Sequence, residues 1–386
     1  MRRYDCLAAI AGTMTNELVV ANLANTSTEW THLRPHDGNL YFVGMGMVTP
    51  YALGLALALP HRPVLALDGD GGILFDLSVL GTLAQTGARN LCVVVFDNGG
   101  YVSTGRSPAS RSLSGSGLDI AAVARACGIL RVEDVDSVEG FEAAVRGGLR
   151  DGAGPTVVVA RIGPEQAFVG TSPMDGRENK YRFARHIEAT ERLTLLRPSA
   201  KEHGEPPKPD PVFAPLGEDA EFGTVLAEGL RENGVDFVIG LPCSGMAAAQ
   251  AICMGDNAMR YVPVAHEGTG LGICAGAWLG GKKPAALMEN LGIFAGAYHL
   301  LRGHWTFGIP TLIVAEWRGD VGEQEFFGDS GDMTEPMLAA MRANHRVVHR
   351  MEDVKPAIRD QLRWMAMALR PTTLLPSYGL TRIRPK

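Results

Sequence analysis

The stretch from residue 63 to residue 98 constrains the fold most. Pro63-Val-Leu-Ala-Leu67 is a continuous apolar run of strand length, and Gly69-Asp70-Gly71-Gly72 turns the chain. Ile73 to Thr86 then carries apolar residues at helical spacing, and Leu91-Cys-Val-Val-Val-Phe96 is a second apolar run. Strands apolar on both faces belong inside parallel sheets covered by helices, so the segment reads as a βαβ unit. Glu17–Asn22 and Pro155–Ala160 read as further strands, with a helical stretch from Val138 to Leu149 before the second. The pattern returns with Phe237–Gly240, Ala285–Met288 and Pro310–Val314. Between the halves, Arg197 to Pro211 is polar, proline-dense and aperiodic, as an extended linker is. The expected fold is α/β, with two doubly wound, mostly parallel-sheet domains at 1–195 and 218–386 joined by a proline-rich linker at 196–217.

Charge and cysteine usage narrow the function. The 386 residues carry a net charge of −6, without the basic stripe that a nucleic-acid backbone requires. The six cysteines form no CxxC pair and sit among apolar residues, which points to reduced thiols and a cytoplasmic protein. Arg2-Arg3 before Cys6–Ile10 is a poor signal peptide, because Asp5 interrupts it and the apolar stretch is short; a first amphipathic helix fits better. No run reaches the roughly 18 apolar residues that span a bilayer, so a small-molecule partner is expected, not a membrane or nucleic acid.

The chemistry gathers at two turns. Gly69, Gly71 and Gly72 let backbone approach an anion at a helix start, where diphosphate is a natural guest, although Gly-Asp-Gly also closes ordinary turns. Asp70 follows one strand and Asp97-Asn98-Gly99-Gly100-Tyr101 follows the next, so both project at the carboxyl edge of the sheet. The Asp70 carboxylate, the Asn98 amide oxygen and a nearby backbone carbonyl form a hard oxygen set that suits Mg2+.

These residues carry a resemblance. Gly69-Asp70-Gly71 with Asp97-Asn98-Gly-Gly-Tyr101 resembles the thiamine diphosphate (ThDP) motif, which opens with GDG and closes near NN. The flanks Leu40-Tyr-Phe-Val-Gly44-Met45-Gly46, Gly54–Ala58, Ser103-Thr-Gly105 and Gly176–Phe183 are similar to sulfopyruvate and phosphonopyruvate decarboxylases. In the second half, Val264-Ala-His-Glu267-Gly-Thr-Gly270, Lys282–Asn290 and Trp317-Arg-Gly319 resemble the pyrimidine-binding (PYR) domain of that family, as the first half resembles its diphosphate-binding (PP) domain. The resemblance implies the ThDP-binding fold, with ThDP and Mg2+ as cofactors. Asp70, Asn98 and the Gly100 carbonyl are then the metal ligands. Thr26, Gly44, Met45, Gly69, Gly71, Gly72, Tyr101 and Asn290 are cofactor contacts, with Met45 the wedge that bends ThDP. Glu267 is the catalytic glutamate that activates the aminopyrimidine. The implied reaction is decarboxylation of a 2-oxo acid to an aldehyde through a C2 ylide and an enamine. A carboligase using the same enamine and a non-catalytic ThDP-binding protein stand as alternatives.

The chain also departs from the family. The PP-like half comes first, the reverse of fused phosphonopyruvate decarboxylase. Met288-Glu-Asn-Leu-Gly-Ile-Phe-Ala295 stands where the family reads like MQNSGLGN, and Ala247 stands where a lysine is expected. The apolar segment Leu291–Ala295 suggests an uncharged substrate side chain, or shelter for an acceptor. Arg106, Ser244, His299 and His304 are the substrate candidates, with Arg106 read either as a carboxylate clamp or as an exposed loop arginine. The assembly implied is a homodimer or dimer of dimers, with Asp70 and Glu267 meeting one cofactor from different chains or, given the long linker, from one.

Overall fold

The computed structural model describes residues 1–104, 108–150, 152, 154–170, 175–196, 220–319 and 327–381. The chain divides into two compact units, Met1–Leu195 and Leu196–Lys386. The linker expected at 196–217 lies, apart from Leu196, outside the described residues.

The first unit is a six-stranded sheet of β1 (Leu18–Asn22), β2 (Asn39–Val43), β3 (Val64–Gly69), β4 (Leu91–Asp97), β5 (Arg131–Val135) and β6 (Thr156–Arg161). Their order is β2-β1-β3-β4-β6-β5, and every neighbouring pair is parallel. Alternate side chains explain the layers. Val19, Leu65, Cys92, Val94 and Val158 join Leu7, Trp30 and Phe141 in one core, beneath the helices Arg3–Ala11, Asn25–Leu33 and Val138–Arg150. The opposite face packs on Val48–Ala58, a helix buried on every side because its sequence is apolar all round. Burying each such large apolar side chain contributes roughly 1.5–3 kcal/mol.

The second unit contains β7 (Phe237–Gly240), β8 (Arg260–Pro263), β9 (Pro284–Glu289), β10 (Leu312–Glu316), β11 (Asn344–Val348) and β12 (Thr372–Pro376), ordered β11-β12-β10-β9-β7-β8 and again parallel. Counted from its own first strand and read from the other edge, this is the same order as in the first unit. The counterpart of helix Val48–Ala58 is Glu267–Leu279, which also follows the second strand of its unit and is also buried throughout.

The inner strands β3, β4, β7, β9 and β10 lie where the apolar runs place them. The helical spacing from Ile73 to Thr86 resolves into two helices, Asp70–Phe75 and Ser78–Thr86, broken at Asp76 and Leu77. Edge strands β5 and β8 escape the apolar pattern because only Val132 and Val262 in them are buried. Among the described residues, no helix is long and apolar enough to cross a membrane.

Candidate active site

In the first unit the strand order reverses between β1 and β3, so the loops leaving their carboxyl ends part and open a crevice. That crevice is a solvent-open cleft of about 100 Å3, lined by Thr26, Met45, Gly69, Asp70, Gly71, Gly72, Asn98, Gly100 and Tyr101. Gly44 precedes this lining at the end of β2, and Arg106 lies outside the described residues. Met45 reaches the cleft because β2 bulges: Val20 pairs with Leu40 but Asn22 with Val43, and Phe42 takes φ 56°.

Asp70 opens the helix Asp70–Phe75 and is buried. Its Oδ2 accepts the hydroxyl of Ser112 at 2.6 Å and approaches that of Ser114 at 3.2 Å. Burial raises its pKa above the usual carboxylate range, and the Ser112 hydrogen bond opposes the rise. Past β4, the Gly100 N–H donates to Asn98 Oδ1 at 3.0 Å, so the side chain folds back to shape its own loop. Among the described residues, no group of three or more His, Cys, Asp or Glu is arranged to hold a metal ion. A cation here would rest on one carboxylate, amide and carbonyl oxygens, and the ligand's own phosphate oxygens. That hard, carboxylate-poor donor set fits Mg2+ held with a diphosphate.

Two contributors were not legible in the sequence. Asp68, at the end of β3, accepts from Asn22 Nδ2 at 3.0 Å, from the Gly69 N–H at 2.9 Å and from Thr49 Oγ1 at 3.0 Å, and burial pushes its pKa up to about 7. Asn22 Oδ1 in turn accepts the Leu23 N–H at 2.8 Å, which fixes the turn into the helix carrying Thr26. A Cβ on Gly72 would lie 2.0 Å from Asp68 Oδ1, and one on Gly71 2.3 Å from the Tyr101 ring, so side chains press directly on this backbone. Both contacts cross long sequence separations, and the extra aspartate of Asp68-Gly-Asp-Gly was the one available signal.

In the second unit Glu267 begins the helix Glu267–Leu279 and is 8% exposed. A Cβ on Gly292 would meet Glu267 Cγ at 2.7 Å and Oε1 at 3.0 Å, so the glutamate lies against bare backbone of the helix Asn290–Ala295. Asn290 opens that helix as Asp70 opens its counterpart. Its amide is fully buried, donating to the Arg318 carbonyl and to Thr334 Oγ1, both at 2.9 Å, and to the Ser330 carbonyl at 3.3 Å. These bonds tie the helix to its neighbours. Leu291 and Phe294 sit on a different side of this helix from Gly292, in a groove with Phe327 and Met333. Of the apolar segment, Gly292 thus faces Glu267, while Leu291 and Phe294 line that groove.

Ser244 is exposed on the loop after β7, and that loop is pinned where the Gly245 N–H donates to the buried Glu316 at 3.0 Å. His299 is buried beside the first turn of Glu267–Leu279, with its ring 5.8 Å from that of His266. His304 corrects the substrate reading: it is fully buried, its Nδ1 2.9 Å from the Ile309 carbonyl and its Nε2 3.1 Å from that of Leu271. It braces two backbone segments, and burial lowers its pKa.

Comparison with known proteins decides the family. The family described as "Thiamine pyrophosphate enzyme, C-terminal TPP binding domain" matches residues 17–160. The β subunit of sulfopyruvate decarboxylase from Methanothermobacter thermautotrophicus is 34% identical over 193 residues, which is 50% of this chain and 98% of that protein. The chain belongs to the ThDP-dependent decarboxylase family. Within it, phosphonopyruvate decarboxylase from Streptomyces hygroscopicus is 38% identical over 167 residues, 43% of this chain and 40% of that protein. The ThDP-binding fold is also that of transketolase from Campylobacter jejuni, matched at TM-score 0.63 and 13% identity over 96% of this chain and 73% of that one. Against a Pichia stipitis transketolase the chain spans 60% of the longer protein.

Proposed function

We propose that this chain is a ThDP- and Mg2+-dependent enzyme that releases carbon dioxide from a 2-oxo acid and returns an aldehyde. The observation carrying this reading is the convergence of Asp70, Asn98 and Gly100 on one cleft with Thr26, Met45 and Tyr101, at the switch point of the first sheet. On this reading the first unit is the diphosphate-binding domain and the second the aminopyrimidine-binding domain. Asp70, the Asn98 amide and the Gly100 carbonyl hold Mg2+ against the diphosphate. Bound ThDP supplies a thiazolium ring that accepts the electron pair left when carbon dioxide departs.

The protein's own work is to bind, orient and move one proton. The Gly69–Gly72 turn offers backbone close to the diphosphate, and Met45 presses on the cofactor from the end of β2. Glu267, desolvated at its helix start, hydrogen-bonds pyrimidine N1′ and holds a proton there, the step that general acid–base catalysis assigns to a positioned carboxyl group. A fully charged substrate side chain is disfavoured by Ala247 and by the loss of polar residues at 291–295. The active form is a homodimer or dimer of dimers, in line with the matched relative being a subunit.

A panel of 2-oxo acids, including pyruvate, phenylpyruvate, sulfopyruvate and phosphonopyruvate, tests the reading by carbon dioxide release with and without ThDP and Mg2+. Release from at least one, dependent on both additives and lowered by about 10²- to 10⁴-fold in Glu267→Gln, is expected. Release indifferent to ThDP, or no release from any of them, overturns it.

A further inference from the structure

The segment Ser110–Gly117 follows the Asn98 loop and is not among the residues that line the cleft, yet it grips both sides of the candidate metal site. Its backbone seats on the Asn98 loop: the Tyr101 N–H donates to the Ser110 carbonyl at 2.6 Å and the Ser112 N–H to the Gly99 carbonyl at 3.0 Å. A Cβ on Gly115 would lie 2.1 Å from the Gly99 oxygen, so the two loops meet backbone to backbone. Its hydroxyls reach the other candidate ligand, since Ser112 Oγ is 2.6 Å and Ser114 Oγ 3.2 Å from the same oxygen, Asp70 Oδ2.

Counting hydrogens assigns the two serines different tasks, because each hydroxyl has one to give. Ser112 is 2% exposed, and its contact to Asp70 has the length of a strong hydroxyl-to-carboxylate bond. Ser114 lies 2.7 Å from Asp97 Oδ1, closer than to Asp70, so its hydrogen goes to Asp97 and its oxygen stays 2.9 Å from Ser112. Asp97 is anchored through Oδ2 by Arg161 at 2.6 Å, and that guanidinium also holds Asp134 at 2.9 Å. Two separate hydrogen bonds therefore fix this segment, one from Ser112 to Asp70 and one from Ser114 to the Asp97–Arg161 pair. A carboxyl group that turns freely about its last bond offers a cation either oxygen or both, and gripping Oδ2 removes that freedom.

We propose that Ser112 and Ser114 are positioning residues for the metal. Ser112 holds Asp70 Oδ2 and leaves the other oxygen to a divalent cation, while Ser114 anchors the same backbone segment to the Asp97–Arg161 pair. The inference rests on the function proposed above and adds to it two residues that touch neither cofactor nor substrate.

The test uses the full chain with saturating ThDP and Mn2+ as the probe, reading affinity by calorimetry and the ligand field by electron paramagnetic resonance. Ser112→Ala and Ser112→Cys, the latter of similar shape but a weak donor, should both bind Mn2+ about 10- to 100-fold more weakly, the usual loss when a partner of a metal ligand is removed. Both should alter the Mn2+ spectrum, and Ser114→Ala should give a smaller loss of affinity with the same spectral change. Circular dichroism checks the fold, and if Ser112→Ala does not fold, Ser112→Cys and Ser114→Ala decide. Wild-type affinity and spectrum in Ser112→Cys overturn the inference alone, because shape and not the hydrogen bond would then matter. Failure of the wild-type chain to bind Mn2+ with ThDP refutes the proposed function, and the inference with it.

Discussion

Replacing Gly292 by alanine should disable Glu267 without touching its carboxyl group. The added Cβ would stand 2.7 Å from Glu267 Cγ, 3.0 Å from Oε1 and 2.9 Å from Met288 Sδ. Carbon–carbon contact relaxes near roughly 3.5–4.0 Å, so the side chain must retreat by about 1 Å. Cγ is the middle of the side chain and its backbone is fixed in the first turn of a fully buried helix, so the movement passes to the carboxyl group. A displacement of about 1 Å in a reacting group costs about 10²-fold in rate. Stability should change little, since overpacking costs about 1–3 kcal/mol while alanine gains about 1 kcal/mol over glycine inside a helix. Hydrogen–deuterium exchange at C2 of added ThDP is the direct assay, paired with Mn2+ affinity as a check that the first unit is intact. Exchange at the wild-type rate, with the variant folded and ThDP bound, would show that the Gly292 contact does not place Glu267 and would refute the reasoning.

Three other outcomes are expected. Asp70→Ala should abolish ThDP binding in calorimetry, as should excess chelator with the wild-type chain; binding that survives either one removes the metal from the account. Ala24 stands at φ 62°, ψ −136°, a conformation natural to glycine, so Ala24→Gly should relieve about 1–3 kcal/mol of strain, offset by the roughly 0.5–1 kcal/mol entropy cost of glycine. The net gain of about 1 kcal/mol would appear as a higher urea midpoint, and a lower midpoint contradicts the strain argument. His186 packs edge-on to His36 with ring centroids 5.0 Å apart, and burial, then His36 and Arg62, lower its pKa below the ordinary 6.5. The unfolded chain then binds more protons, so stability is full above pH 6.5 and falls as the pH drops through the lowered folded value. His186→Asn should flatten that acid slope in pH-dependent unfolding, and an unchanged slope assigns it to other groups.

What the sequence disclosed follows from burial. β3 and β4 are sealed on both faces, so their apolar runs are unbroken and their loops, bearing Asp70 and Asn98, could be put on one edge. β5 reads Arg-Val-Glu-Asp-Val because it is an edge strand, and nothing in its pattern separates it from a loop. Asp68 and Asn22 lie 46 residues apart and meet only across β1 and β3, and the Ser112 and Ser114 contacts to Asp70 span more than 40. Short-range periodicity carries no trace of such pairs. His304 illustrates the opposite error: a histidine near an altered loop suggests chemistry, whereas both ring nitrogens face main-chain carbonyls in the core.

The repeated strand order has a consequence for the gene. Among the described residues, each unit completes its sheet from one uninterrupted stretch of chain and borrows no strand from the other. What joining them does settle is dosage: one polypeptide delivers the Asp70 unit and the Glu267 unit in strictly equal numbers, at whatever level the gene is expressed.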